Sequence, residues 1–91
     1  MTAIETVNHA LFLTRNRLSD APKFQLFSLI FAQLEYILSV LNGEESDKSR
    51  MKKIVVGHYA VREFEESDPE LANALIAVQS VASKISKGLK I

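Results

Sequence analysis

The stretch MKKIVVGHYAVREFEE, residues 51–66, decides the fold. Read one way it is a strand, because Ile54, Val55 and Val56 are β-branched and Gly57 weakens a helix by about 1 kcal/mol. Read the other way it is the third helix of an all-α chain, starting near Ser46 or Asp47 and running through Glu66. No other segment looks like a partner strand, and a lone strand would leave its backbone groups unpaired. On that accounting the helix is the expected form.

The flanking segments set the frame for this choice. Thr2 followed by Glu5 has the spacing of a capping box. Ile4, Val7, Leu11, Thr14 and Leu18 then recur every three or four residues, which predicts a first helix over 3–19 that stops at Asp20-Ala21-Pro22. A second helix is expected over 23–41, closed by Asn42-Gly43. Phe27, Ile30, Phe31, Leu34, Ile37, Leu38 and Leu41 make its main apolar stripe. Leu26, Leu29, Tyr36 and Val40 form a second patch turned away from that stripe. Such a helix is either central in the fold or covered by another chain. GEESDKS (43–49) reads as a loop. The fourth helix is the clearest: Asp68 caps it, Pro69 suits its first turn, and Leu71, Leu75, Val78 and Ile85 mark its buried face. Lys84 and Lys87 complement its C-terminal dipole, and Gly88 ends it before a Leu89-Lys90-Ile91 tail. Four helices on short connections predict a small antiparallel four-helix bundle in one domain, residues 1–91.

Composition narrows the function. Eleven basic and eleven acidic residues cancel, so neither nucleic acid nor a membrane surface is an expected partner. The basic cluster KSRMKK (48–53) follows Glu44, Glu45 and Asp47 and reads as a solvated turn. The chain has no cysteine, which removes thiolate chemistry and sulfur-ligated metals. MTAIETVNHALF lacks the pattern of a signal peptide, and Gln25, Gln33 and Glu35 interrupt the most apolar stretch, so a cytoplasmic protein is expected. No phosphate-binding glycine loop, H-E-x-x-H or nucleophile elbow is present. His9 and His58 lie far apart in sequence and read as ordinary surface histidines. Neither catalysis nor a metal or cofactor is expected.

One local feature stands against this neutral background. EFEESDPE (63–70) holds five carboxylates in eight positions, and from His58 to Glu70 the net charge is −4. Asp68 and Glu70 suit a helix N-terminus. Glu63, Glu65 and Glu66 instead close the third helix, where the dipole repels them, and Arg62 offsets only one. Glu63, Glu65, Glu66 and Asp68, flanked by Arg62 and Tyr59, are therefore the candidate contact residues for a basic or hydrogen-bond-donating pocket. Leu26, Leu29, Tyr36 and Val40 are a candidate second contact, for a partner or for a homodimer.

AVREFEESDPELANAL (60–75), QLEYILSVL (33–41), the terminal GLKI, the opening MTAIE and the Arg17-Leu18…Pro22 punctuation together resemble the small helical immunity proteins of type VI secretion. The similarity spans nearly the whole chain, and 60–75 is its most specific part. Residues 43–53 depart from the pattern. The similar member protects bacteria from an NAD(P)-hydrolysing effector toxin. The resemblance implies a cytoplasmic antitoxin without catalysis of its own, which binds a cognate toxin domain and blocks access of NAD(P) to the active site. The alternatives are a homo-oligomeric helical module and a regulator of a different nucleotide-modifying toxin.

Overall fold

Capping and termination, both written locally in the sequence, set the frame of the fold. The computed structural model describes residues 2–20 and 24–88. The chain is all-α, with helices α1 (Ala3–Asp20), α2 (Phe24–Leu41), α3 (Val56–Tyr59) and α4 (Pro69–Ser86) and no strand among the described residues. The proline stop at Ala21-Pro22, the start at Lys23 and the Leu89–Ile91 tail lie outside them. At the start of α1 the Thr2 amide donates to Glu5 Oε1 (2.8 Å) and the Glu5 amide to Thr2 Oγ1 (3.1 Å), a reciprocal capping box. α2 ends in a Schellman motif. Gly43 takes a positive φ of 79°, its amide donates to Val40 O, and the next amide, Glu44, donates to Ser39 O. Gly88 closes α4 with a φ of 74°.

The core is contributed by all four helices. Val7, Ala10, Leu11 and Leu13 of α1 meet Ile30, Leu34 and Ile37 of α2 and Leu71, Leu75, Val78 and Ala82 of α4. Thr14 is the buried polar residue among them, and its hydroxyl donates to Ala10 O at 2.8 Å. Ile4, assigned to the same face by its spacing, sits at the helix end and is exposed.

The third helix differs from the expectation. It does not run unbroken from Ser46 or Asp47 to Glu66. Residues 45–48 are irregular, Ser49–Lys53 form a 3₁₀ turn, and Ile54 and Val55 break the path before α3. α3 then widens into a π turn over Ala60–Phe64. The strand-like signal was physically real over a short range. Ile54 is extended (φ −69°, ψ 125°), and Ile54 and Val56 point inward while Val55 points out. A sheet is unnecessary because side chains satisfy the backbone. Gln79 of α4 donates from Nε2 to Ile54 O (2.9 Å) and accepts at Oε1 from the Gly57 amide (3.0 Å). Gln33 of α2 accepts from the Val55 amide (2.9 Å).

The α-then-π sequence also has a packing logic. Val56, Ala60 and Phe64 are all buried, at a constant spacing of four. An α turn is shorter than four residues and a π turn longer, so one followed by the other keeps the three in line toward the core. Phe64 reaches the ring of Phe27 on α2, with centroids 5.5 Å apart.

Candidate functional site

The acidic corner lies where the π turn gives way to α4, and the structure divides its carboxylates into two groups. Asp68 and Glu70 serve the fold. Arg17, in the last turn of α1, sends Nε to Asp68 Oδ2 (2.8 Å) and Nη2 to Asp68 Oδ1 (3.1 Å) and Glu70 Oε1 (3.0 Å). Asp68 also accepts from the Leu71 amide as the cap of α4. Glu63, Glu65 and Glu66 face solvent. Glu63 meets Arg62 at 3.3 Å on the surface, and Glu65 and Glu66 form no ion pair among the described residues. Tyr59 is half-buried against the core, and Arg62 is exposed. The free negative charge therefore gathers on Glu65 and Glu66, with Glu63 beside them.

Arg17 ties its carboxylates across 51 positions of sequence, a separation no local pattern reports. The guanidinium beside Asp68 holds that carboxyl below the usual carboxylate range, against a smaller opposing effect of burial. A depressed folded pKa stabilises above the unfolded value, about pH 4, and that contribution is lost as pH falls through the folded one. Arg17→Ala is therefore expected to lower stability by about 1 kcal/mol at pH 7, since both partners are partly solvated. Denaturant midpoints should show the gap to wild type closing below about pH 4. A gap that persists unchanged at pH 3 would point to lost packing of the arginine stem instead.

The second candidate patch is largely covered by the chain itself. Tyr36 is 8% exposed, its hydroxyl donates to Asp47 O (2.8 Å), and the Arg50 guanidinium lies over its ring at 4.2 Å. Leu26 and Val40 are half-buried against the core, and Leu29 is 53% exposed. Arg50 of the 3₁₀ turn is what covers the Tyr36 ring. A hollow of about 270 Å³ remains beside Leu29, edged by Tyr36, Arg50 and Lys53. His9 and His58 are both exposed, and among the described residues no group of three His, Cys, Asp or Glu is placed to hold a metal. Among these residues, too, no helix is long and apolar enough to cross a membrane.

A family model for Tsi6 matches residues 2–84 of this sequence. The chain belongs to the Tsi6 family. It is similar to the immune protein Tsi6 of Pseudomonas aeruginosa, with 38% identity over all of this chain and 97% of that one. The structure resembles Tsi6 solved in complex with Tse6, at a TM-score of 0.94 and 39% identity over 99% of this chain and 96% of the other. It also resembles a structure of Tsi6 from Pseudomonas aeruginosa, at 0.88 and 37% identity over 100% and 95%. Tsi6 is an immune protein rather than an enzyme. In this member of the Tsi6 family, the Arg17 clamp and the glutamine-pegged break hold the acidic corner on a built scaffold.

Proposed function

We propose that this protein is an immunity protein of the cytoplasm that binds the toxin domain of a cognate type VI effector, an NAD(P) glycohydrolase, and blocks its active site. The observation that carries the reading is the match over nearly the full length of both chains to Tsi6 in complex with Tse6. Glu63, Glu65 and Glu66 supply the chemistry at the contact. A cleft shaped for dinucleotide phosphates presents donors and positive charge, and exposed carboxylates complement both. Inhibition by occupancy requires no catalytic group, only a scaffold that keeps its shape and a few well-placed anchors. We favour an effector over a second copy of this chain, because the patch that would serve a homodimer has Tyr36 covered and Leu26 and Val40 half-buried, which leaves Leu29 as its exposed residue.

The test is co-purification with the effector encoded in the adjacent gene, followed by an NAD(P)-hydrolysis assay. Equimolar immunity protein is expected to abolish hydrolysis, and raising NAD(P) is expected to slow formation of the complex. Full hydrolysis in the presence of the bound protein would reject active-site blocking. A neighbour with no action on NAD(P) would reject the substrate.

A further inference from the structure

A groove of about 600 Å³ runs between the broken third helix and α4. Val61 and Ile76 line the end nearer the start of α4, Lys84 and Lys87 the other end, and Gly57 against Gln79 lies between them. Val61 and Ile76 are 56% and 42% exposed, so two large aliphatic side chains, one from each wall of the groove, meet water. Single exposed apolar residues are ordinary, but such a pair in a concave setting with a polar rim is the anatomy of a contact surface. Neither lysine forms an ion pair among the described residues, and no carboxylate lines the groove. Among the described lining residues the charge is positive only.

We infer that this groove is a second docking surface for the effector, receiving a segment with an aliphatic side chain between Val61 and Ile76 and a carboxylate facing Lys84 and Lys87. The inference rests on the function proposed above and adds to it a face of opposite polarity. Two things point to the effector as occupant. The groove's aliphatic end adjoins the acidic corner, because Val61 stands on the same π turn as Glu63 and one turn before Glu65. The lysines also call for an acidic partner, while the corner calls for a basic one. A partner gripped at both must present the two signs in a fixed order, so the pair of faces sets orientation and selects against effectors with one sign alone.

Binding of the adjacent-gene toxin domain to the full-length protein would be measured by calorimetric titration, with thermal melts alongside. Val61→Asp with Ile76→Asp is expected to weaken binding about tenfold, and Lys84→Gln with Lys87→Gln about threefold to fivefold. All four positions are exposed, so melting temperatures should stay close to wild type. The lysine pair keeps the test decisive if the aspartates disturb folding. Wild-type affinity in both variants would overturn the docking surface while leaving the immunity reading intact. No binding by the wild-type protein would overturn both. Loss of self-association by light scattering, with effector affinity unchanged, would assign the groove to a second copy and also overturn the proposal.

Discussion

Gln79→Leu is expected to lower the melting temperature by roughly 10–20 °C, far more than a substitution at a half-buried polar residue usually does. Leucine nearly preserves the volume and removes only the amide. The loss falls on two backbone groups, the Ile54 carbonyl and the Gly57 amide, both of buried residues at the break before α3. Each buried polar group left unpaired costs about 1–3 kcal/mol, so the pair amounts to about 3 kcal/mol. Gln33→Leu is the built-in control. It removes a bond of the same kind, to the Val55 amide, at a site where water can take over. Its expected effect is below about 1 kcal/mol. Equal stability of the two variants would show that the break is held by apolar packing and not by its glutamines. Gly57→Ala approaches the same point from the other side. A Cβ there would lie 2.8 Å from the Gln79 Cβ, so α3 would have to retreat from α4.

The second large effect is on binding. Glu63→Lys with Glu66→Lys is expected to weaken the complex with the toxin domain by about a hundredfold, or about 2.7 kcal/mol, roughly tenfold for each reversal. Stability should move the other way or not at all. Glu63 lies in the π turn and Glu66 just past it, toward its negative end, where lysine is favoured by a few tenths of a kcal/mol to about 1 kcal/mol. Glu63 gives up only an exposed contact with Arg62. Opposite signs in the two measurements separate a contact surface from a structural one. Unaltered affinity would remove the corner from the interface.

How much of this was legible beforehand depended on range. The capping box at Thr2 and Glu5, the Asp68-Pro69 start of α4 and the glycine stops at Gly43 and Gly88 are all local events, and all appear where their residues predict. The buried face of α4 likewise follows its spacing. The third helix was misread because its two competing signals were both correct in part. Ile54 is extended and Val56 is helical, and the groups that reconcile them come from Gln33 and Gln79, each more than twenty positions away. Arg17 is invisible for the same reason. Its charge is plain in the sequence, but its partners are set by the docking of α1 against α4. The apolar patch on α2 posed a question of cover that, for Tyr36, only the course of residues 47–50 answers. Of the candidate contact residues, Glu63, Glu65 and Glu66 face solvent as their placement at a helix end suggests, whereas Asp68 is already bound within the chain.

The tether of Tyr36 to residue 47 is made to a carbonyl oxygen of the main chain. A grip of that kind is blind to which side chain the residue carries. That bond would outlast a change of the Asp47 side chain, while the bends on either side of it would not: there the Glu45 and Asp47 carboxylates hold the Asp47 and Ser49 amides, so the connector's course is written in its acids and its attachment is not.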